Sequence, residues 1–294
     1  MTIPDTQIRF LVTFDAIGNQ ARLPLAGIWH ETVAYLRHHS CCPSKVTLNT
    51  HLEDGTALTD EALTPEMVFD KLSAHHYGGF RVDTHRYQSK HFNIHLMISG
   101  FTAHPPSFEI VADARLRLPT AWNKLIESVA VLFPIRLACQ YRFIYKRWQA
   151  TRRLDHWEPE WGAVPAYTQT TEHLLGFDKP WVWMDNSSNP GRTTEADFNV
   201  YRVDSEMWLG PGFWSYAPCT KEEVLAADFF IEKRDTPHYL YLKSWPHPFS
   251  RPDGEQGRVQ QKLWRLLYKQ DCEWPPGSGG ISDVPVGGPP ELMP

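Results

Sequence analysis

The 294-residue chain lacks the features that would place it in a membrane or in a secretory pathway. No apolar run reaches the ~18 residues of a membrane-spanning helix, so we expect no membrane partner. The first ten residues have neither a basic start nor a long apolar stretch, which argues against a secretory signal. The five cysteines are odd in number and have no repeated spacing, which argues against a disulfide framework and favours a reduced, cytoplasmic compartment.

The sequence is also without the local signatures of common active and cofactor sites. It contains no G-x-S-x-G elbow, no Walker phosphate loop and no G-x-G-x-x-G after a predicted strand. Its 14 histidines form neither an H-E-x-x-H pattern nor a cluster with metal-ligand spacing. We therefore predict no catalytic residue, no metal and no cofactor, and expect that the protein is not an enzyme. A metal- or histidine-dependent enzyme of unknown substrate is the alternative, because many active sites leave no local signature.

What the sequence does have is an uneven distribution of charge. The net charge is −5, and residues 1–184 and 236–294 each hold equal numbers of acidic and basic side chains. The whole acidic excess therefore lies in residues 185–235. Such a segment predicts either a solvated face or a docking face for a basic partner. Because it would repel phosphate, we do not expect nucleic acid as a partner.

Large aromatic rings are abundant and accompany these acidic residues. Aromatic residues make up 13% of the chain, and 12 of them are Trp, a residue that often anchors protein interfaces. The candidate partner-binding residues are the acids and rings that alternate in this segment: Glu195, Asp197, Asp204, Glu206, Trp208, Trp214 and Tyr216. The alternative is that these rings belong to the core and that the acids are their solvated neighbours.

The order of the predicted elements indicates an α+β fold. Ile8–Phe14 alternates as a strand with one buried face, and an amphipathic helix follows it. The segments 80–87, 91–99 and 107–115 are spaced like the strands of an antiparallel meander, and 136–147 alternates as a long strand. This order differs from the regular alternation of a doubly wound sheet. We expect antiparallel sheets with helices packed on one face, and a C-terminal half that weakly repeats the first.

Composition divides the chain into parts. They are an N-terminal α+β half at 1–150, a connection at 151–180, a C-terminal α+β half at 181–272 and a Gly/Pro-rich tail at 273–294. We expect the tail to be loosely ordered. In the C-terminal half, Thr220 and Glu223 have the spacing of a capping box and predict the start of a short helix.

Several diffuse features together carry a family resemblance. They are the strand Ile8–Phe14 with the helix through Trp29 and Leu36, the run Pro65–Phe69, the run Tyr239–Phe249, and the Gln-rich helix with Leu263 and Leu266. In these features the sequence resembles bacterial immunity proteins of polymorphic-toxin and type VI secretion systems. It is similar to the immunity protein fifty-two family over most of residues 6–270.

The resemblance implies a cytoplasmic, non-catalytic protein that binds and neutralises one cognate toxin. The toxin suggested is a type VI effector with an endonuclease-type domain, and we expect the free protein to be a monomer or a weak homodimer. Since a nuclease cleft is electropositive, the carboxylates of 185–235 would mimic its substrate. Docking away from the cleft, with a block on folding or assembly of the toxin, is a second mechanism that stays open.

Overall fold

A single antiparallel sheet of ten strands runs through both halves of the chain. It is seen in a computed structural model, which describes residues 7–15, 23–40, 42–51, 56–74, 79–83, 92–99, 107–113, 122–150, 168, 170–173, 181–184, 189–191, 193–196 and 199–268. The predicted tail 273–294 lies outside these residues. So does the predicted connection 151–180, apart from 168 and 170–173.

The strands and helices have the following bounds. The strands are β1 (Gln7–Phe14), β2 (Val46–His51), β3 (Ala57–Leu63), β4 (Gly79–Asp83), β5 (Phe92–Ser99), β6 (Ser107–Asp113), β7 (Ile135–Arg142), β8 (Thr170–His173), β9 (Trp181–Met184), β10 (Thr194–Ala196), β11 (Asn199–Tyr201), β12 (Glu206–Leu209), β13 (Glu232–Asp235) and β14 (Leu240–Lys243). The helices are α1 (Leu25–His38), α2 (Pro65–Ala74), α3 (Asn123–Leu132), α4 (Phe143–Ala150), α5 (Lys221–Ala226) and α6 (Gly254–Leu267), with a 3₁₀ turn at Pro211–Phe213.

The strand order of the large sheet is β13-β14-β12-β7-β1-β6-β5-β4-β2-β3, and every neighbouring pair is antiparallel. This confirms the predicted α+β class with antiparallel sheets. The strands β8 and β9 form a small separate sheet, as do β10 and β11. In the large sheet β7 pairs with β12, with Cys139 opposite Met207, so strands from both predicted halves share one sheet.

The sheet has a hydrophobic core on each of its faces, because successive side chains of a strand point to opposite sides. Ala138 and Trp208 belong to a first core with α1, α2 and α3. Their neighbours Cys139 and Met207 belong to a second core with α4 and α6. The expectation of helices on one face therefore holds for α1–α3 alone, and α4 and α6 cover the other face.

Aromatic stacking fixes the first helical layer on the sheet. The ring of Phe10 stacks on Trp122 with 4.4 Å between centroids, and it meets Trp208 edge-on at 5.6 Å. The indole Nε1–H of Trp208 donates to Asn123 Oδ1 at 2.7 Å. Each such ring pair adds roughly 0.5–1.5 kcal/mol beyond the area it buries. These contacts hold the start of α3 over β1 and β12.

The stripe predicted for α1 is buried as expected. Trp29, Thr32 and Leu36 repeat at helical spacing on its inner face. The indole Nε1–H of Trp29 also donates to the carbonyl oxygen of Pro65 at 2.9 Å, which ties α1 to the first residue of α2. None of the helices in the described ranges has the length and hydropathy that crossing a bilayer requires.

The long strand predicted at 136–147 ends early. Strand β7 stops at Arg142 and the chain continues as α4. Alternation of Tyr141, Phe143 and Tyr145 suggested a strand, yet Tyr145 and Trp148 are spaced three residues apart and both are buried. That spacing places them on one side of a helix. Burial at the second core therefore decides the backbone from residue 143 onward.

Two glycines differ in the space that they leave for a side chain, and replacing each gives a matched test of the fold. A Cβ on Gly210 would lie 1.9 Å from the carbonyl oxygen of Ile135, whereas one on Gly27 would meet a flexible Leu132 methyl at 3.3 Å. We expect Gly210→Ala to lower the free energy of unfolding by about 3 kcal/mol. In contrast, Gly27→Ala should be neutral or stabilise α1 by about 0.5–1 kcal/mol. Urea denaturation measures both, and equal effects would contradict the packing of residue 210 against β7.

Candidate partner-binding surface

Most of the predicted partner-binding residues lie inside the protein. The exposed fractions of Asp204, Glu206, Trp208 and Tyr216 are 3%, 7%, 0% and 2%. Trp214 is half-buried against the second core. These residues therefore do not form the exposed face expected from their alternation, because β12 and the segments beside it are covered on both sides.

The exposure of the other two predicted residues, Glu195 and Asp197, is not described by the structure. The backbone of Glu195 belongs to β10, but its side chain lies outside the described residues. Asp197 lies outside them altogether. Their part in partner binding stays a prediction.

Asp204 is the centre of a buried ion cluster. Its Oδ2 accepts from Arg202 Nε at 2.7 Å, and its Oδ1 lies 3.3 Å from Lys146 Nζ. The Lys146 ammonium also donates to the carbonyl oxygens of Gly191 at 2.6 Å and Val203 at 3.1 Å. Burial lowers the pKa of Lys146 to about 8, because an apolar environment disfavours its charged form. The cluster fastens α4 to Gly191 and to residues 202–204.

Glu206 is bonded on the opposite face of the sheet. Its Oε1 accepts from the hydroxyl of Tyr241 at 2.5 Å, and it lies opposite Lys243 in the register of β12 and β14. Burial raises the pKa of the Glu206 carboxyl, an effect that the Tyr241 hydrogen bond partly opposes. The side chain thus acts within the sheet and does not reach a partner.

A further polar cluster links the sheet to Arg202. The carboxylate of Glu109 accepts from Arg9 Nη1 at 2.8 Å and from the hydroxyl of Tyr141. The guanidinium of Arg202 lies 4.2 Å from the centre of the Tyr141 ring. Burial raises the pKa of Cys139 in the adjoining core, which keeps its thiol protonated and unreactive. Within the described ranges no three His, Cys, Asp or Glu side chains are grouped as metal ligands.

The exposed part of the acidic segment lies elsewhere, at residues 220–235. We call this stretch, which comprises α5, the connection 227–231 and β13, the β13 edge surface. It holds five carboxylates and three cations. All five of these carboxylates are exposed: Glu222, Glu223, Asp228, Glu232 and Asp235. Part of the acidic excess seen in the sequence therefore lies on this surface, at the end of the sheet.

Local hydrogen bonds build this surface. The predicted capping box is confirmed, since the Thr220 side chain accepts from the Glu223 N–H and the Glu223 side chain accepts from the Thr220 N–H. Lys233 Nζ donates to the carbonyl oxygens of Leu225 and Ala227, the latter at 2.7 Å. These bonds satisfy the last carbonyl groups of α5 and hold the helix against β13.

The cations of the β13 edge surface are occupied within the protein. Lys233 caps α5, Lys221 pairs with Asp235, and the Arg234 guanidinium lies 5.1 Å from the centre of the Tyr241 ring. Among the described residues, neither Asp228 nor Glu232 has an ion-pair partner. The surface therefore presents negative charge that its own cations do not neutralise.

β13 also has an open edge. It is the outermost strand of the sheet, paired with β14 alone among the described strands. The Thr236 N–H donates to the Tyr239 carbonyl oxygen at 3.0 Å and closes the hairpin between these two strands. Along an antiparallel ladder, hydrogen-bonded pairs alternate with pairs that are not hydrogen-bonded. Counting from the bonded pair Thr236–Tyr239, Lys233 and Asp235 fall at the non-bonded positions. Their backbone N–H and C=O groups therefore point away from β14.

An apolar side chain accompanies this open edge. Ile231 is 57% exposed, although the stacked rings of Phe229 and Phe230 beside it pack against the second core. Ile231 and Glu232 both lie opposite Lys243, because the Ile231 N–H donates to the Lys243 carbonyl oxygen. This bond extends the contact with β14 to the residue before β13. It places an apolar anchor beside the exposed carboxylates.

Comparisons with known proteins establish the fold but no family. No protein-family model and no curated protein matches the chain. Among solved structures, a type VI secretion system (T6SS) protein of Pseudomonas aeruginosa is similar in fold, with a TM-score of 0.50 and 11% sequence identity. The similarity covers 88% of this chain and 75% of that one.

Replacing Asp204 should distinguish acidic residues that stabilise the fold from acidic residues that lie on the surface. We expect Asp204→Asn to lower the free energy of unfolding by about 3–5 kcal/mol, because two buried cations lose their counter-charge. The exposed control Glu232→Gln should stay within about 0.5 kcal/mol of the parent protein. Urea denaturation gives both values. A mild effect of Asp204→Asn would show that the cluster is more hydrated than the structure indicates.

The Glu206 carboxyl predicts a pH dependence of stability. Because its pKa is raised above the ordinary 4.5, the folded protein keeps this proton at pH values where the unfolded chain has released it. Its contribution to stability is therefore present below pH 4.5 and is lost as the pH rises through the folded pKa. Glu206→Gln keeps an acceptor for Tyr241 and should reduce the loss of stability with rising pH. An unchanged slope, as expected for the control Glu232→Gln, would contradict this assignment.

Proposed function

We propose that this chain is a T6SS-associated immunity protein, which binds a secreted toxin and neutralises it by stoichiometric contact. The observation that carries the proposal is the fold shared with a T6SS protein across 88% of the chain. The resemblance of the sequence to immunity proteins points the same way. Neither feature depends on the buried residues that the sequence predicts as the binding face.

The chemistry of the described residues supports binding more than catalysis. The buried polar groups Lys146, Asp204 and Glu206 are bonded to one another or to neighbouring residues of the fold. They hold elements together and are not open to a substrate. The unneutralised charge lies outside, on the β13 edge surface. Charge in that position acts on the approach and orientation of a partner.

The proposed target carries positive charge near its functional surface. A nuclease does so because it must attract phosphate, which supports an endonuclease-type toxin as the target class. Carboxylates of the β13 edge surface would then face the cationic groups of the toxin. This holds both for direct coverage of the cleft and for docking beside it.

The function is tested with the protein encoded by the neighbouring gene. We expect that this neighbour stops growth when expressed alone, that co-expression of the present chain restores growth, and that the two proteins co-purify in equal amounts. A neighbour that is not toxic, or that neither binds nor is neutralised, would refute the proposal. Hydrolysis or metal content in the purified chain alone would instead favour the alternative of an enzyme.

Charge reversal on the β13 edge surface should slow association. We expect the double variant Asp228→Lys with Glu232→Lys to bind the toxin about tenfold more slowly at low salt, because electrostatic steering is lost. Since salt screens such interactions, the difference should shrink at high ionic strength. Stopped-flow fluorescence measures the rate. The control double variant Glu31→Lys with Asp70→Lys alters as many charges on α1 and α2 and should leave the association rate nearly unchanged. Equal slowing in this control would show that the rate depends on net charge alone.

A further inference from the structure

We propose that the toxin adds one of its own β-strands to the open edge of β13, so that the sheet continues into the partner. This inference rests on the proposed function and specifies the contact through which it operates. The occupant is a basic strand of the toxin with a cationic side chain opposite Glu232.

The backbone of β13 is prepared for such an addition. Lys233 and Asp235 direct N–H and C=O groups outward, as the Thr236–Tyr239 hairpin closure requires. An incoming strand would satisfy these groups by main-chain hydrogen bonds, which supply affinity without a preformed pocket. The bonds from Lys233 to the end of α5 and from Lys221 to Asp235 hold the strand in place before binding. Little ordering would therefore be needed on association.

The charges of the edge specify the partner. Glu232 and Arg234 share one face of β13, and Arg234 already lies over the Tyr241 ring. Glu232 forms no ion pair with Lys243, which lies opposite it on β14. The open carboxylates are then Glu232 on the strand and Asp228 before it. Opposite charges on directly facing residues of two strands are favourable, and like charges are not. A strand with basic residues at these positions fits, whereas an acidic strand is rejected.

A second copy of this chain fits the edge less well. An antiparallel pair that joins the outward groups of Lys233 and Asp235 would place Arg234 directly opposite its own copy. Like charges in that position are destabilising. The same pair would also set Lys233 opposite the copy's Asp235, but these two charges are already engaged by the end of α5 and by Lys221. The basic strand of a different protein is thus the better occupant.

The test replaces the outward N–H and keeps the rest of the strand. Lys233→Pro removes a donor that points away from β14 and places a ring where the partner strand would lie, and proline is tolerated at such edge positions. Lys233→Ala is the matched control, since it loses the same ammonium group but keeps the N–H. Urea denaturation of both variants shows whether they fold alike. Because both variants lose the ammonium group, their difference isolates the N–H. We expect Lys233→Pro to bind the toxin at least tenfold more weakly than Lys233→Ala, measured by titration calorimetry.

Hydrogen exchange of the unaltered protein gives a second readout that no folding defect can affect. The amides of Lys233 and Asp235 should exchange quickly when the protein is free and become protected in the complex. If the toxin binds but these amides stay fast, or if the two Lys233 variants bind alike, strand addition is refuted while the proposed function stands. If the unaltered protein does not bind its neighbour at all, both proposals fall together.

Discussion

The pairing of β7 with β12 decides which residues of this chain face solvent. It joins strands from the two halves of the sequence, and it sets β12 in a part of the sheet that is covered on both faces. All four residues of β12, Glu206–Leu209, are consequently buried. A strand in that position has no solvent-exposed face, so its acidic side chains cannot contact a partner protein.

The buried acids are tolerated because the fold supplies each with a specific partner. A carboxylate loses several kcal/mol of hydration on burial, which only close opposite charges and hydrogen bonds offset. Asp204 has Arg202 and Lys146, and Glu206 has the hydroxyl of Tyr241. These bonds fix the positions of residues 202–204 against α4 and of β12 against β14, so the acidic residues contribute to a unique arrangement of these elements.

Local features of the fold were predictable from the sequence, and features that depend on strand order were not. The buried stripe of α1 and the capping box from Thr220 to Glu223 each follow from a few neighbouring residues. The alternation of Asp204, Glu206 and Trp208 does not distinguish a half-buried strand from one covered on both sides. Nor does it reveal that β13 is an edge, because that property belongs to the order of the whole sheet.

The two edges of the sheet are protected from unwanted pairing in different ways, and only one of these ways also allows recognition of a partner. At β3 the left-handed backbone of Ala62 and an irregular register with β2 discourage pairing with any strand. β13 has a regular ladder over its four residues and relies on charge instead. Charge repels most strands but attracts one with the complementary pattern, so it protects and selects at once. An edge protected by backbone distortion cannot select in this way, which makes β13 the edge suited to a single cognate partner.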